Sequence, residues 1–446
     1  MNEPKGGIER GGMRLRPMLR ALQSRNYRLF FVGQSVSLVG TWMQQVAMSW
    51  LVYRLTGSAL LLGVVGFASQ IPTFILAPLA GVLADRWNRR RLLIVTQSLA
   101  MVQAALLAAA VLSGVVQVWQ IIALSAVLGL VNAFDIPIRQ SFVVELVDQK
   151  EDLGNAIALN SSMVNGARLL GPSIAGVLVA AVGEGVCFLL NAASYLAVLA
   201  AIAAMRIRPV KRHGKNKHIL HELHEGINYA FGFRPIRAIL LLLAVVSLMG
   251  MPYTVLLPVF ARKILHGGAH TFGFLMAAAG VGSLGSTIYL ASRRSVLGLG
   301  RVIAVASALF GAGVAGFALS RSMPLSLLCL SLAGFGAMAM VASGNTIIQT
   351  IVEDDKRGRV MSLFAMSFMG MTPFGSLMAG SVADWLGARN TLLLGAAACL
   401  AAGLHFSRQL PALRELVRPI YVRMGIIPEV AAGIQTAAEL TTPPEK

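Results

Sequence analysis

Twelve long runs of mostly apolar residues, separated by short polar segments, dominate this chain. They fall at about 28–53, 59–84, 92–113, 118–146, 155–182, 186–205, 237–260, 271–291, 301–320, 325–350, 359–384 and 390–407. A run of ~20 apolar residues is what a helix needs to cross a bilayer. Of the 446 residues, 56% are hydrophobic and only 13% are charged, too few charges to cover soluble domains of that total length. The expected fold class is an all-α membrane protein, with twelve transmembrane helices arranged as two pseudo-symmetric six-helix bundles.

Twelve crossings place both termini on one side, and positive charge indicates which. Of the 38 Lys and Arg, 31 fall on the side of the N-terminus. Five fall on the other side: Arg54, Arg262, Lys263, Arg321 and Arg389. Arg139 and Arg168 lie inside spans. Both termini are therefore expected to be cytoplasmic, in a bacterial inner membrane. The net charge of +19 would fit a nucleic-acid partner in a soluble chain. Here its placement makes it a topology signal with some affinity for lipid headgroups, and no nucleic acid is expected. The basic N-terminal segment shows no cleavable-signal pattern, so the first helix is expected to act as its own insertion signal. Cys187, Cys329 and Cys399 each stand alone in an apolar run, without disulfide or metal spacing.

The expected organisation is a cytoplasmic segment 1–27, a first bundle 28–205, a cytoplasmic linker 206–236, a second bundle 237–407 and a cytoplasmic tail 408–446. Segments 218–231 and 409–424 read as interfacial helices. His218, His221 and His224 recur every third residue, a conceivable metal site, but they miss the H-E-x-x-H spacing, and an amphipathic linker is the alternative. No metal or other cofactor is expected. An internal repeat supports the two halves. Sliding 159–196 by 204 residues pairs Gly171 with Gly375, Gly176 with Gly380 and Gly183 with Gly387.

The loop after the second span reads Gly81-Val-Leu-Ala-Asp85-Arg86-Trp-Asn-Arg89-Arg90-Arg91. It resembles the G-x-L-x-D-R-x-x-R-R-x motif of the major facilitator superfamily. The resemblance implies a cytoplasmic gate in which Asp85 meets the positive N-terminal end of span eleven, near Arg357 or Arg359. The alternative is that Arg89, Arg90 and Arg91 only enforce topology. Span five carries Ala167-Arg168-Leu-Leu-Gly171-Pro172-Ser-Ile-Ala-Gly176. It is similar to the G-x-x-x-G-P-x-x-G-G pattern of antiporter-type members, with alanines at two glycine positions. That implies tight packing on span eight through Gly171 and Gly176, with a bend at Pro172. Gly40-Thr-Trp-Met-Gln-Gln45, Phe134-Asp-Ile-Pro-Ile-Arg-Gln140 and Asn155-Ala-Ile-Ala-Leu-Asn-Ser161 resemble the branch that contains the enterobactin exporter. The branch implies export of siderophores or drugs without fixing which.

Polar residues inside a bilayer are expensive and turn toward the bundle interior or a wet cavity. On span one, Gln34, Ser37, Thr41, Gln44 and Gln45 share ~100° of arc, and on span four Ser125, Asn132, Asp135 and Arg139 share ~80°. Ser161, Asn165 and Arg168 share a face of span five, as do Ser331, Asn345 and Gln349 on span ten. Spans one, four, seven and ten line the central cavity in the fold that the resemblance implies. Gln34, Thr41, Gln44, Gln45, Asn132, Asn165, Arg168 and Asn345 are therefore the candidate substrate contacts. Arg168 lies roughly 20 Å into its span, near the midplane. It is either a cavity cation or a buried Arg bonded to carbonyls at the Pro172 bend. Asp135 and Arg139, at i and i+4, form either an ion pair or the proton-coupling site. Methionines on spans seven and eleven would suit a pocket for varied apolar ligands, or plain packing.

An interior that leans basic favours an anionic or zwitterionic substrate. The expectation is a monomeric secondary exporter of an amphiphilic small molecule, siderophore-like or anionic, coupled to protons. The alternatives are a broad drug antiporter and a lipid or lysophospholipid transporter. No P-loop, no H-E-x-x-H and no intramembrane Ser/His/Asp set occurs, so an enzyme is not expected.

Overall fold

The computed structural model describes residues 19–147, 149–206, 227–293, 295–353 and 356–426, without the side chains of 77–86 and 150. The histidine cluster at 218–224 lies outside these. The described residues contain no strand and twelve long helices. The first half holds α1 (Arg25–Thr56), α2 (Ala59–Arg86), α3 (Arg89–Leu112), α4 (Val118–Leu146), α5 (Leu153–Val182) and α6 (Glu184–Ala204). The second holds α7 (Arg234–Ile264), α8 (Ala269–Ala291), α9 (Leu299–Leu319), α10 (Met323–Ile351), α11 (Arg357–Leu386) and α12 (Ala388–Arg423).

Local chemistry sets the ends. The Asn88 side chain accepts from the Arg91 backbone N–H at 3.1 Å and starts α3, and Gln117 with Gln120 forms a capping box that starts α4. Gly183 (φ 84°) and Gly387 (φ 81°) make the turns after α5 and α11 in a left-handed region that favours glycine. They are the pair that the 204-residue repeat aligns.

Eleven of the helices are apolar enough by composition to cross a membrane. α1 is not among them, although it has 32 residues. Gln34, Ser37 and Gln44 lower its hydropathy, and they are 1–2% exposed, so the bundle removes them from lipid. α7 and α11 contain π-helical stretches, at Val246–Gly250, Phe260–Ile264 and Met366–Gly370. The first and third are joined where the Ser247 hydroxyl donates to the Phe368 carbonyl and lies 3.0 Å from Thr372 Oγ1. Nothing in the apolar periodicity marks these interruptions. The interfacial helix expected at 409–424 is not separate. α12 runs unbroken to Arg423 through Pro411 and Pro419, because Leu413 and Val417 stay buried on one side.

The halves are built alike. α2 packs on α4 as α8 packs on α10, and α3 packs on α4 and α6 as α9 packs on α10 and α12. The halves meet through α2 on α11 and α5 on α8, which are pseudo-symmetric equivalents. At both crossings a glycine is needed. A Cβ at Gly176 would lie 2.9 Å from the Gly273 Cα, and one at Gly380 would lie 2.9 Å from the Gly63 Cα. Gly176 and Gly380 are again partners in the sequence repeat.

Candidate functional site

The side carrying Arg25 and Arg423 is here termed the terminal face, and the other the far face. At the far face the halves are closed. Trp50 of α1 stacks on Phe272 of α8 at 6.4 Å. The Asp384 carboxylate on α11 accepts from the Ser58 hydroxyl at 3.1 Å and the Ala59 backbone N–H at 3.0 Å. Ala59 begins α2, so an acid of the second half satisfies the N-terminus of a helix of the first. Phe374 meets Phe67 and Phe74 edge-on at 6.0 and 5.7 Å. These contacts continue to about mid-helix, where Phe74 meets Gly370 and Leu169 meets Gly280.

Toward the terminal face the halves diverge. A Cβ at Gly166 would meet open space. Ser161, Ser162, Thr346 and Gln349 are exposed, as are Met366 and Met369 of α11. Polar groups of α5 and α10 thus border a cleft that begins near the midplane. Asn165 and Asn345 are half-buried on these walls, where the Asn165 amide donates to the Ser161 carbonyl and Asn345 Oδ1 accepts from Gln349.

Arg168 sits at the level where contact between the halves stops. It is half-buried, and its guanidinium lies over the Trp42 ring, 5.7 Å from the centroid. A Cβ at Gly171 would collide with Trp42 Cβ, so Gly171 is what lets α1 bring the indole beside Arg168. The packing motif on α5 therefore divides. Gly171 serves α1 rather than α8, while Gly176 serves α8 and Pro172 presents its carbonyl to Gly273. Among the described residues no carbonyl or carboxylate accepts from the Arg168 guanidinium. The alternative of an Arg bonded at the Pro172 bend does not match this geometry.

Other polar candidates lie inside the first half. Gln44 donates to Gln103 at 3.0 Å and accepts from Asn191 at 2.7 Å, a network joining α1, α3 and α6. Gln44 and Gln34 are packing residues, walled off from the cleft. Thr41 bonds back to the Ser37 carbonyl, and Asn132 is half-buried. Gln45 is exposed. Asp135 is 5% exposed and its Oδ1 accepts from Thr96 at 2.8 Å and Gln97 at 2.7 Å. Arg139 Nε lies 3.8 Å from its Oδ2. Thr96 and Gln97 were missed in the sequence because two polar residues on an apolar helix carry no motif.

The loop arginines are engaged within their own half. Arg89 pairs with Glu145 at 3.0 Å and donates to the Ser141 carbonyl, and Arg90 donates to the Ala203 carbonyl. They tie α3 to α4 and α6. Gly81, Asp85 and Arg86 lie in the part of α2 whose side chains are not described. Arg357 is exposed and Arg359 half-buried, at the start of α11. Among the described residues no group of three His, Cys, Asp or Glu could hold a metal ion.

Twelve helices in two equivalent halves, closed on one face and parted on the other, define a multi-pass secondary transporter of the major facilitator type. Residues 17–419 match the model of a family described as transmembrane secretion effectors, and the chain belongs to that major facilitator family of transporters. It is 27% identical over 365 residues to the staphyloferrin A transporter of Staphylococcus aureus, covering 82% of this chain and 91% of that protein. It is also 27% identical over 411 residues to the multidrug efflux pump Tap of Mycobacterium tuberculosis, covering 87% and 94%. With the macrolide efflux protein A of Streptococcus pyogenes it shares 22% over 386 residues, covering 83% and 93%. Among solved structures, a bacterial homologue of the human lysosomal transporter Spinster superposes with a TM-score of 0.68 at 15% identity, covering 89% of this chain and 98% of that one.

Proposed function

We propose that this protein exports an anionic or zwitterionic amphiphile of the siderophore class, by alternating access coupled to protons. The observation that carries this reading is Arg168, a cation with no acidic partner among the described residues, at the inner end of a cleft walled by Ser161, Asn165, Asn345 and Gln349. A cation held in a low-dielectric setting attracts an anionic group and repels a cationic one. The Trp42 ring beside it offers an apolar surface to the rest of an amphiphile. The siderophore named for the Staphylococcus aureus relative is consistent with the same class, as is the resemblance to the enterobactin exporter branch.

In this reading the terminal face is cytoplasmic, and the conformation receives substrate from the cytoplasm. The three native cysteines are buried, which leaves a clean background for labelling. An impermeant maleimide added outside intact cells should label Val115→Cys, at the far face, and spare Glu415→Cys. The reverse pattern would place the cleft mouth outside and contradict export.

The same reading assigns two gates. Asp384 closes the far face, and Asp85, with Gly81, Arg86, Arg357 and Arg359, closes the cytoplasmic face in the opposite state. Arg89 and Arg90 hold the Asp85 loop in place from within the first half. The two acids should then act in opposite directions. Asp384→Ala removes a helix cap worth about 1 kcal/mol, roughly a fivefold shift toward far-face opening. Spin labels at Val115 and Arg321 should report a wider far face. Asp85→Asn should widen the distance between labels at Glu151 and Glu415 instead. Movement of both variants in the same direction would remove the two-gate assignment.

A second reading, a broad drug antiporter, is favoured by the exposed Met366 and Met369 beside the cleft and by the multidrug and macrolide relatives.

A further inference from the structure

A groove of about 250 Å³ runs between α7 and the terminal-face end of α12, away from the cleft. Its mouth is basic and polar. Arg234 and Arg237 come from the first turn of α7, and Gln409 of α12 bonds the His405 ring at 2.9 Å. Arg237 spends one donor on the Phe231 carbonyl at 3.3 Å, and Arg234 donates to no protein group among the described residues. Among the described residues no acidic side chain lines the groove. Below the arginines the α7 wall is apolar, at Ala238, Leu241, Leu242 and Val245. Leu241 is 50% exposed, so this flank faces outward.

Depth relates these features to the bilayer. From Arg234 to Val245 the helix rises roughly 16 Å at 1.5 Å per residue. That is about half of a ~30 Å hydrocarbon core. The arginines therefore lie at headgroup level, and the apolar end of the groove reaches toward the bilayer centre. The N-terminal end of α7 adds its own positive potential at the mouth.

We infer that this groove holds one anionic phospholipid of the terminal-face leaflet. Its phosphate sits between Arg234 and Arg237, and one acyl chain lies along Leu241 and Val245. A zwitterionic lipid offers the same chain but brings a cation to two arginines that have no counter-charge among the described residues. The inference rests on the membrane-spanning fold and is independent of the transported substrate.

The test is native mass spectrometry of the full-length protein with equal amounts of phosphatidylglycerol and phosphatidylcholine. Wild type should retain phosphatidylglycerol in preference by roughly thirtyfold, about fivefold for each arginine. The Arg234→Gln/Arg237→Gln variant should lose that preference. Ala402→Phe, which narrows the groove and keeps both arginines, should reduce retention of both lipids. It also keeps the question decidable if the double variant fails to fold. Removing residues 427–446 should change nothing. Equal retention of the two lipids by wild type, or unchanged retention in both groove variants, would overturn the inference. So would a gain in binding on tail removal, which would make the chain's own tail the occupant.

Discussion

Arg168→Gln should cut transport of an anionic substrate by roughly ten- to a hundredfold in kcat/KM, with little loss of folded protein. A charge-assisted hydrogen bond contributes about 1.5–3 kcal/mol, and the glutamine leaves only the neutral remainder. The fold should tolerate the change. Arg168 is half-buried, and the contact it loses is one cation–π interaction with Trp42, worth about 0.5–1 kcal/mol. Arg168→Lys should fall between wild type and Arg168→Gln. It keeps the charge but loses the planar fork that grips a carboxylate or phosphate at two points. Transport of a cationic dye should stay level or rise in both variants. Equal loss for anion and cation would make Arg168 a structural residue.

Asp135→Asn should abolish gradient-driven transport. The carboxylate is buried, and it is the acid beside Arg139 within the first bundle. Removing one member of a buried ion pair costs about 3–5 kcal/mol, because the remaining charge is left unpaired. Arg139 is itself partly exposed, so the lower end applies. The amide oxygen of Asn can still accept from Thr96 and Gln97, which limits the damage to the Arg139 side. The double variant Asp135→Asn/Arg139→Gln separates the two roles. If Asp135 carries the coupled proton, the double variant should fold and exchange substrate but not accumulate it against a gradient. Accumulation at the wild-type rate in the double variant would reduce the pair to a structural one.

Much of the architecture was legible because the bilayer enforces it. Helix number, the two halves and the pairing of Gly176 with Gly380 follow from apolar run length and small residues at close crossings. Within-span polarity was less informative. A stripe on α1 marks a face turned away from lipid, yet it does not say whether that face meets a wet cleft or another helix. Gln44 and Gln34 went to the packed interior, whereas Asn165, Asn345 and Gln349 border the cleft. The difference lies in tertiary packing, which places α3 and α6 over the Gln44 side of α1. Trp42 was read only as part of a motif, because its use depends on Gly171 of another helix. Asp384 was not singled out, since a lone acid at a helix end has no meaning until the start of α2 arrives beside it. The π-helical stretches at Val246–Gly250 and Met366–Gly370 likewise lie where α7 and α11 meet, a contact between distant segments.

Export of an anionic amphiphile is tested most directly in proteoliposomes of purified protein with the Glu415 side facing out and an acidic lumen. A polycarboxylate amphiphile and a cationic dye are supplied together on the outside. The anion should accumulate in the lumen, accumulation should collapse when the proton gradient is discharged, and Arg168→Gln should lose it. Accumulation of the dye with none of the anion would contradict anion export and assign the protein to the drug antiporters.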